Sequence, residues 1–245
     1  MNAMNHGLNQ FDTSPVLEFR RLSQSSDFES SLGLDELDLT LGAGELLTIE
    51  VEPSTRTRSF ASMLQGIVQP DSGKVLFLEH DWCGNDYQTH FFHRSLIGRV
   101  FEGKAWIENL NLDENVTLAS RHHGKSKREI ETLVKFWLNH LGMDHLTNRR
   151  PAFVAPAVLQ LHQWVRAFIS CPKLLILERP LEFLGETWLC KLIDAIKEFL
   201  KTGTSVLWLD SRKDMNTFPL AAPHQHLVSD AGTLHLSSKM EGSAR

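Results

Sequence analysis

From Leu34 to Leu41 apolar and polar residues alternate with a period of two, as in a strand with one face buried. Two further apolar runs, Val16–Phe19 and Leu46–Val51, also read as strands, and Gly42-Ala43-Gly44 turns the chain between the second and third. Gln69-Pro70-Asp71-Ser72-Gly73 is a second turn, and Lys74–Leu78 is a short strand after it. The period then changes. Ile130, Leu133, Val134, Trp137, Leu138 and Leu141 recur at steps of three and four, which predicts an amphipathic helix over 126–142. Ser126 suits its start and Gly142 its end. A second helix is expected over Ala157–Ser170, stopping before Pro172, and a third over Glu186–Lys201, stopped by Gly203. Between them Lys173–Leu177 is continuously apolar, as in a parallel strand covered on both faces. Ser205–Leu209 reads as another strand, and Asp230-Ala231-Gly232 as a hairpin turn. Strands alternating with helices predict an α/β sheet. Residues 1–14 read as a flexible leader.

Bulk properties narrow the function classes. A charged fraction of 22% and a hydrophobic fraction of 42% suit a globular protein. A net charge of −5 gives no electrostatic case for nucleic acid. No apolar run reaches the ~18 residues that a membrane helix needs. Cys83, Cys171 and Cys190 show no C-x-x-C pairing and are expected to be reduced and buried, in the cytosol. His122 and His123 are adjacent and His140 and His145 five apart, spacings that predict no metal site.

The segment Gly44–Phe60 has a strand, a short polar loop and an apolar start of a helix, which is the outline of a phosphate-binding loop. The loop itself, Glu52-Pro53-Ser54-Thr55-Arg56-Thr57, has neither glycine nor lysine. Phosphate loops use glycines so that consecutive N–H groups converge, some at positive φ. Proline has no N–H, Thr55 and Thr57 resist positive φ, and Glu50 and Glu52 add negative charge nearby.

Taken with its other landmarks, the chain resembles the ATP-binding subunit of ABC transporters over about residues 16–237. The anchors are Gly44-Glu45, Pro70-Asp71-Ser72-Gly73, Asp113-Glu114-Asn115-Val116 and Cys171-Pro172-Lys173-Leu174, in order and at spacing. On the family's phosphate loop, Val51, Ser54 and Arg56 take the glycine positions and Thr57 the lysine position. Arg58 takes the magnesium-binding hydroxyl, with Ser59 after it. The Q-loop falls on Val100-Phe101-Glu102 and the signature on Val154-Ala155-Pro156-Ala157-Val158. The Walker B run is Leu174–Leu177, then Glu178-Arg179-Pro180, so Glu178 stands for the metal aspartate and Arg179 for the catalytic glutamate. Gly185 takes the D-loop aspartate and Ser211 the switch histidine.

The resemblance implies a P-loop NTPase-like α/β domain over about 15–240. It would carry a helical subdomain near 105–165 and a small antiparallel β lobe. The altered chemistry implies a subunit that is not an enzyme and acts as a structural or regulatory component of a membrane transport complex. An arginine at 179 cannot act as a base, and a lost charge-assisted hydrogen bond costs about 1.5–3 kcal/mol. No cofactor is expected, with ATP and magnesium only if the altered positions Ser54, Thr57, Arg58, Ser59, Glu102, Glu178, Arg179 and Ser211 still bind them. Two alternatives stand beside this reading: a divergent ATPase that still drives transport, with Glu178 holding magnesium, and a soluble anion-binding module. Arg56, Arg58 and Arg179 either pair with Glu50, Glu52, Glu102 or Glu178, or grip an anion. The resemblance also implies a place on the inner face of the cell membrane, against a permease. The partner-facing candidates are Trp106 and Ile107, which core packing would explain equally. A second ATPase subunit, or another copy of this chain, is the other implied partner. Phe28 falls where the family stacks an aromatic on adenine.

Overall fold

In a computed structural model, residues 14–26, 31–83, 86–213, 215–219 and 222–234 are described. The expected leader falls almost wholly outside them, as does Phe28. The chain runs through β1 (Leu17–Gln24), β2 (Gly33–Leu41), β3 (Leu46–Glu50), α1 (Arg58–Leu64), β4 (Ser72–Phe77), β5 (His80–Asp81), α2 (Tyr87–Ser95) and β6 (Ile97–Val100). It continues through α3 (Leu112–His122), α4 (Lys127–Leu141), α5 (Pro156–Phe168), β7 (Leu174–Glu178), α6 (Thr187–Lys201), β8 (Ser205–Asp210), β9 (His224–Asp230) and β10 (Thr233–Leu234).

Among the described residues ten strands form one curled sheet in the order β5-β4-β1-β2-β10-β9-β3-β8-β7-β6. The half from β9 through β3, β8 and β7 to β6 is parallel. In the other half β5, β4, β1 and β2 pair antiparallel. Side-chain alternation along the central strands explains the layering. Leu47 and Ile49 of β3, Leu174 and Ile176 of β7, and Leu207 and Leu209 of β8 enter one core, shared with the antiparallel strands and α1. Their neighbours Leu46, Leu175, Leu177, Val206 and Trp208 enter a second core beneath α4, α5 and α6. Both faces are therefore dry, as the apolar run at β7 predicts, and each such leucine contributes about 1.5–3 kcal/mol when buried.

Helix α4 is closed as its sequence specifies. The Ser126 hydroxyl accepts from the Glu129 N–H at 3.3 Å, and the Glu129 carboxylate accepts from the Ser126 N–H at 2.8 Å. Gly142 ends it with φ 70°, the left-handed turn that favours glycine. Three elements carry no apolar pattern that predicts them. Helix α2 buries only His90. Strand β6 has a charged residue, Arg99, in its centre. Helix α3 is set by its polar start, where the Glu114 carboxylate accepts from the Asn111 N–H at 2.8 Å. The three cysteines are free, but the expectation that they are buried is corrected: all are exposed. Cys83 follows β5, Cys171 sits in the loop before β7, and Cys190 lies on the outer face of α6, positions that ordering the apolar core does not reach. Among the described residues no helix is long and apolar enough to cross a membrane.

Candidate functional site

Strands β3, β6, β7 and β8 lie side by side, and Thr57, in the loop after β3, meets Glu102 from after β6 and Glu178 at the end of β7. The loop from Val51 to Thr57 leaves β3 with a tight turn, where the Thr55 N–H donates to the Glu52 carbonyl at 3.0 Å. None of residues 51–57 has a positive φ. Thr57 then starts α1 and is fully buried.

Two carboxylates converge on it. Glu102 accepts from the Thr57 N–H at 2.8 Å, and its Oε2 lies 3.1 Å from the Thr57 hydroxyl. That hydroxyl is also 3.0 Å from Oε2 of Glu178. A hydroxyl has one proton, so Thr57 can donate its proton to only one of the two carboxylates at a time. Glu178 closes the apolar strand β7 with no solvent exposure. Its other oxygen pairs with Arg99 Nε at 2.6 Å, and the Arg99 side chain is only 3% exposed. Arg99 also donates to Gln65 Oε1 at 2.8 Å, Ser62 Oγ at 3.2 Å and the Arg58 carbonyl at 3.2 Å. Burial of this kind is tolerated because each charge is paired and its remaining donors are satisfied.

Arg179 closes the far side. It has a positive φ of 41°, a conformation rare for a side-chain-bearing residue. Three contacts fix it there: its N–H donates to the Leu209 carbonyl at 2.9 Å, and its Nη2 to the Glu52 and Thr55 carbonyls, each at 2.9 Å. Its Nε lies 3.3 Å from Glu102 Oε1. At the rim, burial first and then the negative charge of Glu102 raise the Glu182 carboxyl above its ordinary range. Burial likewise raises Asp210, against the hydrogen bonds from Trp208 and the Ser211 N–H.

Of the residues singled out from sequence, Thr57, Glu102, Glu178 and Arg179 come together. Ser54 is exposed in the turn and Ser59 is half-buried on α1. Arg58 is exposed and donates to the Lys104 carbonyl at 3.0 Å, not to any of the four carboxylates. Ser211 meets the site only through Asp210, its N–H donating to that carboxylate at 2.8 Å. Sequence reasoning missed Arg99, the real partner of Glu178. Its signal was a lone charge in the otherwise apolar Ile97-Gly98-Arg99-Val100.

A ladder of rings and guanidinium groups leads outward from this site. Arg99 lies 4.5 Å from the Phe101 ring centre, and Arg166 lies 5.2 Å from Phe101 and 4.5 Å from Trp106. Burial lowers Arg166 to about 10. Trp106 is thus half-buried, while Ile107 is 46% exposed. The Asn115 side chain holds Ile107 in place, accepting from its N–H at 2.9 Å and donating to its carbonyl at 3.0 Å. Among the described residues no group of three His, Cys, Asp or Glu side chains is placed to hold a metal.

No family model matches the chain. It is 26% identical over 172 residues to the spermidine/putrescine import ATP-binding protein PotA of Pseudomonas aeruginosa, covering 70% of this chain and 46% of PotA. It is 26% identical over 171 residues to the lipoprotein-releasing system ATP-binding protein LolD of Colwellia psychrerythraea, covering 68% of this chain and 66% of LolD. It thus spans about half the length of PotA. A dimeric ATP-binding cassette solved in a post-hydrolysis state with ADP and phosphate superposes with a TM-score of 0.76 at 17% identity, covering 92% of this chain and 99% of that one. The expectation that the chain is not an enzyme is corrected by these relatives, which are ATP-binding proteins of an import and a lipoprotein-releasing system. The fold is that of an ABC ATPase, and the relatives support the ABC transporter ATP-binding domain family.

Proposed function

We propose that this chain is a divergent ATPase subunit of a membrane transport complex. In this reading a nucleotide must displace the chain's own side chains to enter. The observation that carries it is the convergence at Thr57, between β3 and α1, of residues from the Q-loop and Walker B positions. As arranged, these residues do not fit ATP with magnesium. The Thr57 N–H, which a phosphate would need, is spent on Glu102. The Glu178 carboxylate, which a metal would need, is spent on Arg99 and Thr57. The guanidinium of Arg179 cannot serve as a base. No catalytic step follows from this resting arrangement, and occupancy requires it to open. The nucleotide-facing positions in this proposal are Ser54, Thr57, Arg58, Ser59, Glu102, Glu178, Arg179 and Ser211.

The proposal includes a permease partner on the cytoplasmic side of the membrane. Ile107 suits such a contact, because it is apolar, exposed and rigidly held by Asn115. Trp106 supports it from beneath, packed on Arg166. A second ATPase-type subunit, or a second copy, would complete the complex. The division into one domain over about 15–240, with a helical part near 105–165, belongs to the same proposal.

Calorimetric titration with ATP, with and without magnesium, followed by a phosphate-release assay, tests it. The expected result is binding weaker than about 100 μM, near −5.5 kcal/mol, with turnover that depends on it. No heat and no phosphate release at millimolar ATP would overturn the nucleotide part, and leave a structural or regulatory subunit.

A further inference from the structure

The side-chain hydrogen bonds of Arg99 go to oxygen: a carboxylate (Glu178), an amide oxygen (Gln65), a hydroxyl (Ser62) and a backbone carbonyl (Arg58). Such a set of hard oxygen donors around one cation is the shell that magnesium or calcium takes. The contacts of Glu102 are the reverse. Its carboxylate is met by a backbone N–H, a hydroxyl and a guanidinium, which is the donor set that proteins offer to an oxyanion. The two shells are joined by the Thr57 hydroxyl, which lies 3.0 Å from Glu178 Oε2 and 3.1 Å from Glu102 Oε2.

We infer that the pocket is self-liganded. Arg99 serves as a tethered substitute for a divalent cation, and Glu102 as a tethered substitute for an oxyanion. The inference rests on reading this pocket as the nucleotide site of the proposed function, and it supplies that site's regulation. The tethered groups are present at high effective concentration, so free metal and phosphate compete poorly with them. The groups of the pocket satisfy one another through their own side chains. Any event that withdraws β6 or the segment after it would expose a metal subsite and an anion subsite together, since Arg99 and Glu102 lie three residues apart. The stacked groups Phe101, Arg166 and Trp106 join that segment to the exposed Ile107, so a partner pressing there would act on the same strand end.

The test uses the full chain, with metal alone and pyrophosphate alone as probes. In the native protein, millimolar magnesium or calcium, chelator and pyrophosphate should each leave the melting temperature unchanged. Arg99→Ala empties the oxygen shell, so its melting temperature should fall and then rise by about 3 °C or more with millimolar magnesium or calcium. Arg99→Ala combined with Glu178→Gln should lose that response, because the anchoring charge is gone. Glu102→Gln weakens the tethered anion and should gain a pyrophosphate-dependent rise of about the same size. Glu102 is half-buried, so this variant carries the test if Arg99→Ala fails to fold. A metal response in Arg99→Ala no larger than in the native chain would overturn the cation half. The same null with pyrophosphate in Glu102→Gln would overturn the anion half. Neither probe is ATP, so failure of the native chain to bind ATP would refute the proposed function and leave this result standing.

Discussion

The polar cluster around Thr57 and the one between β5 and α2 are built in opposite ways. Around Thr57 the charged groups Arg99, Glu178, Glu102 and Arg179 are joined by explicit hydrogen bonds. Between β5 and α2 the rings of His80 and His93 stack at 4.1 Å, with His90 5.0 Å and Trp82 5.2 Å from His80. There His80 Nε2, His90 Nδ1 and Trp82 Nε1 are buried with no hydrogen-bond partner among the described residues. The first cluster buys its order with complementary charge; the second depends on ring packing. A charged cluster of the first kind fails when one member is removed. A stacked cluster of the second kind weakens when His80 takes a proton.

The sharpest break is Arg99→Met. Deleting one partner of a buried ion pair leaves an uncompensated charge and costs about 3–5 kcal/mol. Here the stranded group is Glu178, which has no exposure at all. Arg99→Met with Glu178→Leu removes both charges and should recover most of that loss, because an apolar pair of similar volume is often neutral or better. Urea unfolding of both variants checks this. If the double variant is no more stable than the single one, the pair is contributing more than mutual neutralisation. Smaller is Thr57→Val, which keeps shape and the N–H to Glu102 but removes the hydroxyl between two carboxylates. A buried acceptor left short of a donor costs about 1–3 kcal/mol, and the same unfolding curves should place it above Arg99→Met in stability.

How much of this was legible in the chain follows from the same contrast. Strands β3, β7 and β8 and helices α4, α5 and α6 were readable because their apolar residues repeat at the period of the element. Helix α2 was not, since its buried face is made of histidine and its start is fixed by Asp86, which accepts from the Thr89 N–H at 3.0 Å. Glu102 and Arg179 could be placed together through the resemblance, and they do pair. Arg99 could not, because its partner lies 79 residues away on a neighbouring strand, and no local pattern encodes that distance. Arg58, assigned to the same pocket from sequence, instead extends to the Lys104 carbonyl, since it points from the exposed side of a helix only seven residues long. The conclusion that lost motif residues mean lost enzyme activity also went beyond the residues, and the relatives correct it.

The smallest expected effect belongs to the histidine cluster and comes from acidification. Burial first, then the neighbouring charges of His93 and His90, lowers His80 below its ordinary 6.5, with Asp86 and Asp81 opposing. Around it stand the Lys74–Asp81 pair at 2.7 Å and Arg94 over the Trp82 ring at 5.7 Å, so further positive charge on the imidazole meets cations as well as carboxylates. The sign follows from which state takes the proton first. The unfolded chain protonates His80 near 6.5, while the folded chain resists until a lower pH, so stability is full above about 6.5 and is lost as pH falls toward the folded value. His123, His162, His224 and His226 are lowered in the same direction and add to the loss, whereas the raised Glu182 and Asp210 oppose it. A comparison of variants removes those shared contributions. His80→Phe keeps the ring stack on His93 and cannot be protonated, so it should lose less stability than the native chain between about pH 7 and pH 5 in urea titrations. Equal losses would show that His80 is not where acid enters, and would leave the contrast between the charged cluster and the stacked one without its chemical basis.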